Sequence, residues 1–288
     1  MWILYAFGSA LFAGITAVLA KCGVKNIDSN VATAIRTIIV LIFSWLMVFI
    51  VGSQETISAI SMETFVFLIL SGLATGASWL CYFKALQLGD VNKVVPIDKT
   101  STILTMILAF IFLGESITFN MIIGMVTIGV GTYLMIEKKD EDKKYIKGRV
   151  WILYAVLSAV FASLTSILGK IGINNVESNL GTAIRTLVVL IMAWMMVFIT
   201  KKQSEIKNID KKSLLFIILS GIATGASWIC YYRALQDGLA SIVVPIDKLS
   251  IVVTVVFAYF FFKERLSKRS FLGLILIIIG TISLLLKL

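Results

Sequence analysis

Long apolar runs separated by short polar or charged patches recur along the whole chain. Trp2–Ala20, Val31–Val51 and Phe65–Ala85 come first, followed by Ile103–Leu113 with its flanks and by Met121–Ile136. The series then repeats at Trp151–Gly169, Leu180–Thr200, Leu214–Ala234, Ile242–Phe262 and Phe271–Leu286. A helix needs about 20 mostly apolar residues to cross about 30 Å of hydrocarbon. The pattern therefore predicts an all-α membrane protein with ten transmembrane helices, five in each half. The first run has no basic residues ahead of it and has an internal counterpart, so it reads as a retained span rather than a secretory signal.

The two halves are copies. Shifted by 149 residues, the chain aligns with itself without a gap, and 65 of 138 aligned positions are identical. "WILYA" at Trp2 returns at Trp151, and "SGLATGASWLCY" at Ser71 returns as "SGIATGASWICY" at Ser220. An odd number of spans per copy makes the second copy enter the membrane from the opposite face. The expectation is two inverted five-helix repeats, residues 1–136 and 150–288, joined by a charged linker at 137–149. Inverted repeats are a common build of secondary transporters, with the site near the midplane.

Charge sets the orientation. The net charge is +10, but the basic residues sit in short loops rather than in a nucleic-acid-binding patch. Lys21, Lys25, Lys93, the linker lysines and the clusters from Lys201 to Lys212 and Lys263 to Arg269 fall on one side. Such loops stay cytoplasmic, so the linker is expected inside and both termini outside, in a multi-pass protein of the cell membrane. The chain has no histidine and three cysteines without paired spacing. No transition-metal site and no cofactor are expected, and no nucleophile with a nearby base suggests an enzyme.

Polar residues inside the spans mark which faces point inward. Ser71, Thr75, Ser78 and Tyr82 share one helix face bordered by Trp79, and Ser220, Thr224, Ser227 and Tyr231 repeat it beside Trp228. Spans 1, 2 and 4 of each half carry similar faces, and the fifth is nearly plain. Two readings stand: a polar cavity, or small-residue packing of the kind Gly72 and Gly76 also suggest. The charges are sharper. "VVPIDK" occurs at Val94–Lys99 and Val243–Lys248, placing Asp98, Lys99, Asp247 and Lys248 inside apolar runs near a proline. Arg36 and Arg185 lie in the second span of each half. Ionisable residues inside a membrane are functional candidates by default. Asp98 is expected to pair with Arg36, leaving Lys99 for a ligand. Lys99 and Lys248 are expected on opposite sides of the midplane, one nearer each mouth. The competing reading is that these cations snorkel to the interface.

The two five-helix halves, the Gly114–Glu115 and Lys263–Glu264 pairs closing each fourth span, and the glycines of the last spans (Gly124, Gly131, Gly273, Gly280) resemble the EamA type of the drug/metabolite transporter superfamily. The resemblance implies a ten-helix exporter of amino acids or other small metabolites, with a cavity lined by helices 1–4 of each half. It also implies cytoplasmic termini, opposite to the charge bias. The expected substrate is a small polar metabolite with a carboxylate or other anionic group. Lys99, Lys248, Arg36 and Arg185 would hold that group, Thr75, Ser78, Thr224 and Ser227 would supply hydroxyls, and Trp79, Trp228, Tyr82 and Tyr231 would wall an apolar part. Lipophilic cations are the alternative cargo. Partners are that substrate, the lipid bilayer, a coupling proton or sodium ion, and a second copy of the chain as a candidate homodimer.

Overall fold

A computed structural model describes residues 1–23, 27–88, 94, 97–135, 150–263 and 266–286. The charged linker, Pro96 and Glu264 lie outside the described residues. The first half contains α1 (Trp2–Gly23), α2 (Ser29–Val51), α3 (Met62–Leu88), α4 (Ser101–Leu113) and α5 (Phe119–Met135). The second contains α6 (Val150–Ile173), α7 (Ser178–Ile199), α8 (Lys211–Asp237), α9 (Ala240–Lys248), α10 (Ser250–Phe262) and α11 (Lys268–Leu285). Short 3-10 segments at Ser53–Ala59 and Gln203–Asn208 link α2 to α3 and α7 to α8. Among the described residues, eight stretches are long and apolar enough to cross a membrane, with α9 and α10 counted as one; α5 is a shorter apolar helix.

Local chemistry explains the boundaries. Asp28 accepts hydrogen bonds from the Asn30 and Val31 amides at the start of α2. Glu177 does the same for Asn179 and Leu180 at α7, and Asp210 for Lys212 and Ser213 at α8. These bonds satisfy donors that a helix start leaves orphaned. Gly52 and Gly114 end α2 and α4 at φ 78° and 66°, the left-handed conformation glycine adopts without penalty. The equivalent positions in the second half are lysines: Lys201 and Lys263 adopt φ 55° and 56°.

The span expected over Ile242–Phe262 is broken. Pro245 lies inside α9, and the helix tightens one turn later: the Leu249 amide bonds Ile246 O at 2.9 Å and the Val252 amide bonds Leu249 O at 2.9 Å. Asp247 and Lys248 therefore occupy the last turn of a half-helix. The same tightening occurs at Thr100, whose amide bonds Ile97 O at 3.1 Å.

Packing follows the repeat. α1 packs on α8 as α3 packs on α6, α2 on α8 as α3 on α7, and α1 on α10 as α4 on α6. α2 meets α7, and α5 meets α11. Glycine is required where the backbones touch: a Cβ on Gly273 would sit 2.5 Å from Gly131 O, and one on Gly76 would sit 2.5 Å from the Met192 side chain. The molecule has two ends. At the linker end, where α5 finishes and α6 begins, the Asp28 amide meets Glu205 Oε2 at 3.2 Å. At the terminal end, Trp2 lies against Gly238, and Glu115 meets the first residues of α9.

Candidate functional site

The hydroxyl stripe of α3 faces α6. Ser71 Oγ donates to Thr165 O at 2.8 Å, and Ser78 Oγ donates to Ser158 O at 3.0 Å. The stripe of α8 faces α1, where Ser227 Oγ donates to Ser9 O at 3.1 Å. These hydroxyls therefore bond between helices, and several of them also line open space. The two readings of the stripes hold together, while Gly72 and Gly76 serve the separate contact with α7.

The same two interfaces hold the carboxylates. Ser158 Oγ donates to Asp98 Oδ1 at 2.7 Å, and Ser9 Oγ donates to Asp247 Oδ1 at 2.6 Å. Each aspartate is thus gripped by a serine from the first helix of the opposite half. This corrects the expected pairing: Asp98 makes no ion pair with Arg36 within 4.0 Å, and its described partner is Ser158. Lys248 Nζ stands 4.0 Å from Asp247 Oδ2.

Two connected lobes open between the halves. One, of about 390 Å³, is lined by Thr33, Arg36, Ser78, Trp79, Tyr82, Asp98, Lys99, Ser101, Ala162 and Lys248. The other, of about 350 Å³, shares Arg36, Ser78, Trp79, Ala162 and Lys248 with the first and adds Thr75, Arg185, Thr224, Ser227, Trp228, Tyr231 and Asp247. Each of the fourteen residues expected to form the substrate site lines one lobe or the other, whereas the stripe residues Ser71 and Ser220 line neither. Lys99 and Lys248 share the first lobe instead of standing one at each mouth. Sequence reasoning missed Tyr232 and Ser166, which also line the second lobe. The only available signal was that the first half has Phe83 and Ala17 at these positions.

The two arginines differ sharply. Arg185 is 1% exposed. Its Nη2 donates to Thr75 Oγ1 at 2.8 Å and its Nε to Ser71 Oγ at 3.3 Å. Its guanidinium lies 4.4 Å from the Tyr232 ring centre and 5.2 Å from that of Trp228. Arg36 is half-buried, lines both lobes, and makes no hydrogen bond or ion pair to a described residue. Lys99 is exposed, and Thr33 and Tyr82 are half-buried, whereas Thr182 is fully buried. The cavity is therefore open toward the linker end and sealed toward the terminal end.

The seal has further parts. Glu115, 6% exposed, accepts the Ala240 amide at 2.6 Å and the Ser241 amide at 2.9 Å, so the end of α4 holds the start of α9. Lys170 Nζ donates to Leu235 O at 2.8 Å and also to Gly238 O. Gln236 Nε2 donates to Ile173 O and Val176 O, both at 2.8 Å. Among the described residues, no group of three or more histidine, cysteine or acidic side chains could hold a metal.

Comparison with known proteins follows this geometry. The model of the EamA-like transporter family matches residues 1–137 and again 149–286. An uncharacterised transporter of a Sinorhizobium species is 45% identical over 134 residues, covering 46% of this chain and 95% of that protein. That relative has the length of one half. An uncharacterised transporter of Archaeoglobus fulgidus is 23% identical over 285 residues, covering 99% of this chain and 98% of that protein. A crystal structure matches with a TM-score of 0.78 at 16% identity, over 98% of this chain and 95% of that one, a likeness of fold alone.

Proposed function

The chain belongs to the EamA-like transporter family, and from that premise we propose that it is a secondary transporter, working by alternating access, that exports a small polar metabolite with a carboxylate or other anionic group. The observation that carries the reading is the charge of the cavity: Arg36, Arg185, Lys99 and Lys248 against Asp98 and Asp247. Four cations face two carboxylates, so the surplus is positive where a ligand would sit. In a site walled by low-dielectric protein, that surplus attracts an anion far more strongly than it would in water. Trp79, Trp228, Tyr82 and Tyr231 offer apolar faces beside it. The lobes fall in the range of about 300–1,000 Å³ expected of small-molecule sites.

In this reading the ten spans form two inverted repeats, the cavity lies at their boundary, and the present conformer is open at one end only. Lysine and arginine crowd the linker end, which on the positive-inside rule faces the cytoplasm. The conformer is then inward-facing, ready to load cargo for export, with both termini outside the cell membrane. The test is counterflow in liposomes with labelled organic acids, zwitterions and lipophilic cations. Saturable exchange of an anionic or zwitterionic solute, lost in Lys99→Met/Lys248→Met, is the expected result. Exchange of lipophilic cations alone, unchanged by removing the lysines, would overturn it.

A further inference from the structure

A guanidinium inside a membrane needs water or polar partners. In this conformer Arg185 has hydroxyls and aromatic faces, while Arg36 has the open cavity. The sequence repeat places the same partners around both. Ser71, Thr75 and Trp228, which enclose Arg185, correspond to Ser220, Thr224 and Trp79 for Arg36. Neither hydroxyl accepts a hydrogen bond from Arg36 here. Ser220 Oγ is turned to Ile217 O at 2.8 Å, whereas Thr224 Oγ1 donates to Ser220 O at 2.7 Å just as Thr75 Oγ1 donates to Ser71 O at 2.9 Å, so it can still accept from a guanidinium. If the linker end closed, Arg36 would lose its water and need replacements. The hydroxyls that match the clamp on Arg185 stand on α8, which already packs against α2.

We propose that Arg36 and Arg185 exchange roles between the two conformers. The arginine at the closed end is clamped by two hydroxyls and a tryptophan, and the arginine at the open end is free to hold the anionic group of the cargo. The inference rests on the alternating-access reading. It adds that the residue receiving the anion changes with the open side: Arg36 from the linker end, Arg185 from the terminal end. Clamping also occupies donors of the guanidinium on the closed side, so cargo is gripped less firmly where it cannot leave.

The test uses thiol labelling of the full chain with Cys22, Cys81 and Cys230 replaced by alanine. One probe is Thr33→Cys, beside Arg36; the other is its repeat mate Thr182→Cys, which is 0% exposed in this conformer. A water-soluble maleimide reports which end is open. Ser71→Ala/Thr75→Val weakens the clamp on Arg185, and Ser220→Ala/Thr224→Val removes the waiting clamp for Arg36. The first pair is expected to raise labelling at position 182 and lower it at 33, changing their ratio about ten-fold, the weight of one hydrogen bond to a charged group. The second pair is expected to move the ratio the other way. No change at either probe, a joint rise at both, or the same direction from both pairs would overturn the exchange. The assay needs no cargo. Labels that exchange in a protein that moves no anion sink the substrate reading alone, and unmoved labels in an active transporter sink this inference alone.

Discussion

Glutamine at position 115 is the most direct probe of how the halves are joined. The carboxylate receives two amides at the start of α9, Ala240 and Ser241, at 2.6 and 2.9 Å. Both residues are buried, at 0% and 3% exposure. Glu115→Gln keeps the shape and one acceptor. It turns the other acceptor into an amino group facing an N–H, and it removes the negative charge from a helix N-terminus. A hydrogen bond to a charged group is worth about 1.5–3 kcal/mol, and the favourable charge at a helix start adds about 0.3–1 kcal/mol. The void lined by Glu115 and Ser241 is only about 10 Å³, too tight for a rescuing water. The expected loss is about 2–4 kcal/mol, or roughly 4–16 °C in thermal unfolding in detergent at 2–4 °C per kcal/mol. Glu55→Gln, at an exposed position on the same end, is expected to leave the midpoint unchanged. A Glu115→Gln protein melting within a degree of the parent would refute the cap as a structural joint.

Two further outcomes follow from backbone and charge. Lys201→Gly and Lys263→Gly restore the residue that the first half uses at these left-handed positions, and each is expected to stabilise by roughly 1 kcal/mol, read as a rise in the unfolding midpoint. Acid should act on the linker-end loops. The hydrogen bond from Lys202 holds the Glu205 carboxyl below its usual range, and the Ser213 hydroxyl followed by its amide holds that of Asp210 below its own. With folded values depressed, their contribution is complete above the ordinary carboxylate range and is lost as pH falls through the lowered values. Amide-exchange protection at Ser213 should therefore persist at pH 5 and decline from roughly pH 4 downward.

The helices were legible because lipid imposes length and apolarity on each span. The apolar runs from Trp2 to Val51 and from Trp151 to Thr200 end within a few residues of α1, α2, α6 and α7. The proline of each "VVPIDK" signalled a loosened turn beside the aspartate and lysine. That the ladder tightens one turn later, at Leu249, was not legible, because a change from α to 3-10 hydrogen bonding leaves no mark on hydropathy. The polar stripes pointed to inner faces because polar side chains avoid lipid. They could not show which helix of the other half each would meet. Hence the expected Asp98–Arg36 pair, reasoned within one half, gave way to Ser158 from the other. Glu115 stood out as part of a motif, but its grip on α9 crosses the repeat boundary, and no local pattern encodes such a contact.

A perfect repeat could not by itself favour one open end over the other, so the bias must come from positions where the copies differ. In a trio of aromatic and hydroxyl groups around Arg185, two positions differ between the copies. Ser166 Oγ lies 2.8 Å from Tyr231 Oη, the Tyr231 ring meets Tyr232 edge-on with centres 5.2 Å apart, and Tyr232 underlies Arg185. The first half has Ala17, Tyr82 and Phe83 in their place, so it lacks one hydroxyl and one phenol. The terminal end therefore closes with more polar contacts than the linker end can form. Ser166→Ala/Tyr232→Phe makes the copies alike at both positions. The double variant removes the Ser166–Tyr231 hydrogen bond and the Tyr232–Ser71 contact, and even one hydrogen bond of about 1 kcal/mol shifts a two-state balance about five-fold. The labelling ratio of Thr182→Cys to Thr33→Cys is expected to rise by that factor, without loss of the folded state. A ratio that stays at the parent value would mean that the preference for this conformer resides elsewhere, in differences between the halves outside the arginine clamp.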